Sequence, residues 1–339
     1  MQRILANRSV RMGLTVAAMV ILVAFILFLA YRSNYGPKSF AQWAIDGIRG
    51  GSIYALVGLG FVVIHSVTGV INFAQGEFVM LGAMLCATFY ELDLPLPPAL
   101  KLVVAIILSL IIVTLVGLIL ERGAIYPARG SSVVTLIIIT IGATIAIRAT
   151  ALIIWGTRAK IVPAFTNLKQ LDHTFRPLGL TLGAQSIWIW GTVALVLTAL
   201  FFFFERTITG KALRACAVNR RAAELMGISP SRMSLLAFGL AAFVGAIGGI
   251  VFGPATRPQY DMGLAFGLKG FVAAIMAGMS SPLGAVVGGL ILGVAENVGA
   301  GVTGLYGYRD VIAFVILILI LLFRPQGLIG GGERGVEQT

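Results

Sequence analysis

The sequence predicts an all-α, polytopic membrane protein of about ten transmembrane helices, or eight if some segments are re-entrant. Three observations carry that reading. Of 339 residues, 58% are apolar and only 11% are charged, whereas soluble domains run near about 25% charged. Mean hydropathy is +0.99. Apolar runs recur at the length of roughly 20 residues that a hydrocarbon core about 30 Å thick demands of a helix. A chain with so few charges cannot cover a soluble surface, which excludes a soluble enzyme and a disordered chain alike. The 42 glycines show no collagen period and suit membrane helices that approach closely through small residues.

Taken in order, a basic arm (1–12, with Arg3, Arg8 and Arg11) precedes the first run, 13–31. That run is longer than a signal-peptide core, and Ala30-Tyr31-Arg32 is a poor cleavage site, so it reads as a retained first helix. Further clear spans are 99–120, 133–155, 186–204, 233–253 and 311–323, the last short unless its helix begins near Leu305. Four less uniform spans lie at 47–64, 73–90, 264–278 and 283–299. The expected organisation is a cytoplasmic arm (1–12), one transmembrane domain (13–323) containing a cytoplasmic loop at 205–232, and a cytoplasmic tail (324–339) that is polar, glycine-rich and frayed. Lys and Arg favour the inner segments modestly, more clearly once the long outer loop 156–183 is discounted, so both termini are expected inside. The outer loop 91–98 holds Glu91 and Asp93 and no base. The 156–183 loop, with Pro163 and Pro177, is expected to be irregular or a short surface helix.

The net charge of +12 fits retained cytoplasmic Lys and Arg better than nucleic-acid binding, because no basic stripe lies on a polar domain. Cys86 and Cys216 do not suggest a disulfide framework, and His65 and His173 lack further ligands for a metal.

The loop 205–232 is the most informative polar segment. Asn219 can cap a helix through its side chain, Gly227 can end it in the left-handed conformation, and Pro230 prevents continuation. Arg220, Arg221, Ala222, Ala223, Glu224, Leu225 and Met226 fill it, followed by Gly227 and Ile228. Ala222 and Ala223 allow close approach, and Leu225 and Met226 supply apolar contact surface. A helix of about two turns is marginal alone in water, so it needs a support. One reading is a basic loop on anionic headgroups; the other is a docking helix that carries force from a soluble motor. This chain is not that motor. Gly210-Lys211-Ala212 is its nearest approach to a phosphate loop, with Glu205 where the first glycine belongs and Ala212 where Ser or Thr would hold magnesium.

At this point a family resemblance is visible. Gly51-Ser-Ile-Tyr-Ala-Leu-Val-Gly-Leu-Gly60 and Gly69-Val-Ile-Asn-Phe-Ala-Gln-Gly-Glu77-Phe-Val-Met-Leu-Gly82 resemble the signature of branched-chain amino acid ABC importer permeases of the LivH type. The loop Arg214-Ala-Cys-Ala…Ala223-Glu-Leu-Met-Gly-Ile228 is similar to that family's coupling loop. Lys269-Gly-Phe-Val-Ala-Ala…Gly278, Pro282-Leu-Gly-Ala…Gly288-Gly-Leu-Ile-Leu-Gly293-Val-Ala-Glu296 and Arg324-Pro-Gln-Gly-Leu328 extend the match over roughly residues 43–328. The resemblance implies a type II importer permease fold and a transport subunit rather than an enzyme. It implies a bacterial inner-membrane location, a second permease subunit, two cytoplasmic ATPases and a periplasmic binding protein. No cofactor is expected on this chain; ATP and magnesium belong to the partner subunits. Gln75 stands where many members have His. That departure leaves urea, amides or aromatic acids as alternative cargo.

Ionisable groups inside apolar spans usually face protein or water. Asn72, Gln75 and Glu77 lie near a glycine-rich break, where they line or gate a route or shape a broken helix, or else satisfy backbone groups freed by the break or sit at the cytoplasmic interface. Lys269 and Glu296 are candidates to pair across adjacent spans, first as a structural pair and otherwise as pathway-lining or gating residues, and Arg148 needs a buried partner or must snorkel. Tyr260 and Asp261, in the outer loop 254–262, read as solvated loop residues or as a contact for a binding protein. Gly245, Gly248, Gly249, Gly253, Gly284, Gly288 and Gly289 are expected to allow close helix packing. Two other functions compete. A secondary transporter or channel would have to couple through Glu77, Lys269 or Glu296. A membrane enzyme finds neither H-E-x-x-H nor G-x-S-x-G in this chain.

Overall fold

The computed structural model describes residues 35–166, 174–279 and 281–323. The arm, the first expected span 13–31, His173, Ser280 and the tail with Arg324–Leu328 lie outside the described residues. The chain is built from helices α1 (Pro37–Thr68), α2 (Gln75–Glu91), α3 (Pro98–Leu120), α4 (Val133–Trp155), α5 (Ala184–Arg206), α6 (Ile208–Val218), α7 (Arg220–Leu225), α8 (Pro230–Thr256), α9 (Met262–Met276), α10 (Pro282–Thr303) and α11 (Arg309–Phe323). Among the described residues, six helices are long and apolar enough to cross a membrane: α1, α3 with its extension to Ile125, α4, α5, α8 and α10.

Local chemistry sets the boundaries. Pro occupies the first turn of α1, α3, α8 and α10, where its missing N–H costs nothing. Ser132, Ser229 and Ser281 cap α4, α8 and α10 by accepting backbone N–H groups. Gly69 and Gly304 end α1 and α10 with φ of 71° and 72°. Several expected spans are corrected. α1 is far longer than 47–64, because its polar first turns lower the hydropathy without breaking the helix. α3 widens into a π-helical turn at Glu121–Ile125 rather than ending at 120. α8 runs through Pro254 to Thr256, since a proline in the last turn displaces few helical bonds, so the turn before α9 shrinks to 257–261. α11 begins at Arg309, after a 3₁₀ turn at Tyr306–Tyr308. The 156–183 loop carries a two-residue antiparallel ladder, Thr174–Phe175 against Leu182–Gly183.

Cross-chain bonds define the two ends of the bundle. At one end, Lys160 N–H donates to Pro258 O at 2.8 Å, Lys160 pairs with Glu91, and Thr181 N–H donates to Gln42 Oε1 at 2.8 Å. At the other, His65 Nδ1 lies 3.3 Å from Met279 O, and Arg129 Nη2 lies 3.4 Å from Ser231 O. Helix α9 therefore passes from the first end to the second and does not fold back.

The core is α1, with α2, α8, α9 and α10 packed around it. The apolar window of α1 is 83% buried, against 17% for α4 and 22% for α5, so α3, α4 and α5 present their Ile, Leu, Val and Phe side chains outward. Glycine makes the core close. Gly293 lies against Gly47 O and the Gly51 backbone, and Gly289 against the Ala55 backbone, so α1 and α10 touch main chain to main chain. Gly249 abuts Val79 O, Gly253 lies against Val162, Gly284 against Ala277 and Gly288 against Ala273 O, which joins α8 to α2 and α10 to α9. Gly248 makes only ordinary contact with Leu56.

Between α1 and α2 the chain dips into the bundle. Phe73 N–H donates to Thr140 Oγ1 at 3.2 Å. Thr140 stands two turns into α4, roughly 10 Å from its start. Asn72 is wholly buried, and its Oδ1 accepts the Ala74 N–H at 3.1 Å. The break thus has its freed backbone groups satisfied by side chains.

Candidate functional site: a capped elbow and two buried ion clusters

The polar loop 205–232 is an elbow of two helices, not one. Thr207 Oγ1 accepts the Gly210 N–H at 3.0 Å and caps α6. Gly210, Leu213 and Cys216 form its buried stripe, with Gly210 seated on the Phe203 carbonyl. The Gly210-Lys211-Ala212 run is therefore inside a helix and has no phosphate-loop shape. Asn219 is extended (φ −152°, ψ 103°), ends α6 and caps α7, its Oδ1 accepting the Ala222 N–H at 2.9 Å. Gly227, at φ 81°, ends α7, and the Ile228 N–H donates back to Ala223 O at 3.0 Å.

The elbow has two faces. Ala223 is buried with Val63, Val67, Leu213, Cys216 and Ala237, and Ile228 packs beside it. This fixes α7 to the C-terminal end of α1 and the N-terminal end of α8. Facing away, Leu225 is 88% exposed and Met226 81%, together with Ile208 and Val218. Arg220, Arg221, Ala222 and Glu224 are exposed between them. Ala222 and Ala223 thus part company: only Ala223 makes the close approach. Burial pushes the Cys216 thiol above its usual range, partly offset by the nearby Arg220. Cys86 is also buried, and both thiols are free.

A buried brace stands behind the elbow. Glu121, at 0% exposure, receives Arg129 Nη2 at 2.5 Å, and the same nitrogen reaches Ser231 O on α8. The Arg129 guanidinium also lies 4.7 Å from the Tyr126 ring. The π-helical turn brings this carboxylate inward, and such turns concentrate at functional places. Replacing Arg129 with Ala will leave the Glu121 carboxyl buried without its ion-pair partner. The expected loss is about 3–5 kcal/mol, measured by thermal unfolding in detergent, and an added Glu121→Gln change will recover most of it.

The first cluster in the spans surrounds the break. Gln75 is fully buried; its Nε2 donates to Ala241 O at 2.9 Å, and its amide fills the space at Gly60 and Gly245. Glu77, at the start of α2, pairs with Arg148 of α4 at 3.5 Å. Trp155 Nε1 donates to Thr88 Oγ1 at 2.7 Å, so polar contacts at Thr140, Arg148 and Trp155 tie the outward-facing α4 to the core.

The second cluster joins four helices. Lys269 Nζ (α9) is 2.6 Å from Glu296 Oε1 (α10) and 2.7 Å from Asp310 Oδ1 (α11). It donates to the Tyr54 hydroxyl (α1) at 3.2 Å, and that hydroxyl donates to Glu296 Oε2 at 2.8 Å. The structure thus brings Lys269 and Glu296 together and adds Tyr54 and Asp310. It does not join this cluster to Asn72, Gln75 and Glu77. Tyr260 packs against the Phe78 and Met84 cluster, while Asp261 is exposed ahead of α9. Among the described residues, no three His, Cys, Asp or Glu side chains come together as a metal site.

An outward-greasy helical bundle, tight-packed at its centre and carrying a polar elbow at one end, is a helical membrane permease. Comparison with known proteins gives the particular group. The family model described as branched-chain amino acid transport system / permease component matches residues 44–321, and the chain belongs to that family. The high-affinity branched-chain amino acid transport system permease protein BraD of Pseudomonas aeruginosa is 33% identical over 302 residues, covering 87% of this chain and 97% of that protein. LivH of Escherichia coli K12, described in the same words, is 31% identical over 87% of this chain and 96% of its own length. A solved structure of PsaBC from Streptococcus pneumoniae in complex with Fab aligns with TM-score 0.44 and 13% identity, covering 91% of this chain and 97% of that one.

Proposed function

We propose that this chain is the membrane-spanning subunit of an ATP-driven importer for branched-chain and other hydrophobic amino acids, working by alternating access. The observation that carries the proposal is the elbow. Its inner face is locked to α1 and α8 through Ala223, while Leu225 and Met226 stand free on a short, doubly capped helix. Large apolar side chains held out in water at the end of a bundle suit burial against a soluble partner. Two cytoplasmic ATPases are the partners proposed here, with a second permease subunit and a periplasmic binding protein completing the assembly in the bacterial inner membrane. Both termini then lie in the cytoplasm, as does the elbow. The chain serves as a transport subunit, and ATP and magnesium act on the ATPases. The amino acid cargo is carried over from what the relatives' names say of them. The Gln75 side chain, at the start of α2, is wedged between α1 and α8, which supports a packing role for it and weakens the one sequence feature that favoured other cargo.

The test is uptake by proteoliposomes that contain the full assembly. Leucine should accumulate only with ATP inside, ATPase subunits present and binding protein outside. Accumulation driven by a proton gradient with the ATPases omitted would favour a secondary transporter and overturn the proposal.

A further inference from the structure

The Lys269 cluster holds more charge than a structural pair requires. One ammonium faces two carboxylates and a phenol supplied by three other helices. Its members differ in access. Tyr54 and Glu296 are buried, and the Lys269 side chain is 10% exposed, whereas the Asp310 side chain is 60% exposed. Asp310 is therefore the one partner that can leave Lys269 and be rehydrated at little cost. It lies at the head of α11, on the end of the bundle opposite the elbow, next to the 304–308 turn. The adjacent Arg309 guanidinium sits 5.4 Å from the Tyr306 ring and makes no ion pair with Asp310 within 4 Å.

We propose that Lys269 and Asp310 receive the two charged ends of an α-amino acid, whose carboxylate replaces Asp310 on Lys269 while its ammonium engages the freed Asp310. The inference rests on the importer reading above and adds the residues that take the cargo. Charge balance selects the ligand. Lys269, Glu296 and Asp310 sum to one negative charge, and a zwitterion inserted between Lys269 and Asp310 leaves that sum unchanged, with Glu296 still on Lys269. A lone carboxylate would raise it to two and leave Asp310 without a cation, which is costly where water is scarce; a lone amine could meet Asp310 but would draw it from Lys269 with no carboxylate to take its place. The surroundings suit an apolar side chain. The Tyr54 ring lies 6.4 Å from that of Phe266, which in turn lies 5.9 Å from Phe252, so the cluster has an aromatic wall on one side.

The experiment uses the permease–ATPase complex in lipid nanodiscs, without binding protein. Binding of leucine is compared with that of isoamylamine, which lacks the carboxylate, and 4-methylpentanoate, which lacks the amine. The complex should prefer leucine over either analogue by about tenfold or more, the scale of one charge-assisted contact. Asp310→Asn should weaken leucine binding by a similar factor and bring it level with 4-methylpentanoate. A brace that merely ties α11 to α9 would lower the unfolding temperature of Asp310→Asn and leave the leucine-to-analogue ratio unmoved. That outcome, or no measurable leucine binding to the unaltered complex, overturns the proposal. Proteoliposome uptake run in parallel separates the two readings. Intact ATP-driven uptake with an unmoved ratio removes only this site, whereas loss of ATP dependence removes the importer itself.

Discussion

Leu225→Asp combined with Met226→Asp will abolish ATP-driven uptake while the permease itself stays folded. Both side chains are more than four-fifths exposed and touch none of the packed clusters, so their loss takes nothing from the bundle. Against a docked partner the same positions would be central and apolar. Truncating such anchors costs about 2 kcal/mol or more each, and a buried carboxylate costs further. A fall in uptake of at least about thirtyfold is expected from the first contact alone. The readouts are transport in proteoliposomes, co-purification of the ATPase subunits, and the unfolding temperature of the isolated permease. Loss of the first two with the third unchanged is the predicted pattern.

Lys269→Met will destabilise the bundle as strongly as any single change in it. The substitution keeps the volume and removes the charge, so Glu296, 1% exposed, is left without its cation. Breaking a buried pair by removing one partner costs about 3–5 kcal/mol, whereas neutralising both can be nearly free. Thermal unfolding in detergent should show a large drop for Lys269→Met and substantial recovery for Lys269→Met with Glu296→Gln. Asp310→Asn, whose carboxylate is mostly in water, should shift the unfolding temperature far less.

Where the residues carry their own start and stop signals, the sequence could be read almost to the residue. The span 133–155 coincides with α4, between a Ser132 cap and Gly156. The short helix between Asn219 and Gly227 was legible for the same reason, since both ends are encoded by single side chains. Helix α6 was not. Its buried stripe is a glycine, a leucine and a cysteine amid basic residues, so hydropathy reads it as loop. The start of α1 was hidden by Lys38, Gln42, Asp46 and Arg49, which are tolerated where the helix meets water.

Charge pairing was legible only between groups already conspicuous inside spans. Lys269 and Glu296 stand out in neighbouring apolar runs and do meet. Asp310 precedes its span and passes for a loop residue, and Tyr54 is uncharged, so neither signalled its place in the cluster. Glu77 with Arg148 and Glu121 with Arg129 depend on the register between helices, which hydrophobic pattern alone does not set.

On the proposed function, the α6–α7 elbow is the surface on which a cytoplasmic motor pulls. The most direct measurement places a single cysteine at Leu225, in a background with Cys86 and Cys216 replaced, and asks what it meets in intact membranes. The expected result is a cross-link to an ATPase subunit that forms and weakens with the nucleotide state, and no reaction with a membrane-impermeant thiol reagent added outside. Labelling from the outside, or cross-links to lipid alone, would contradict it.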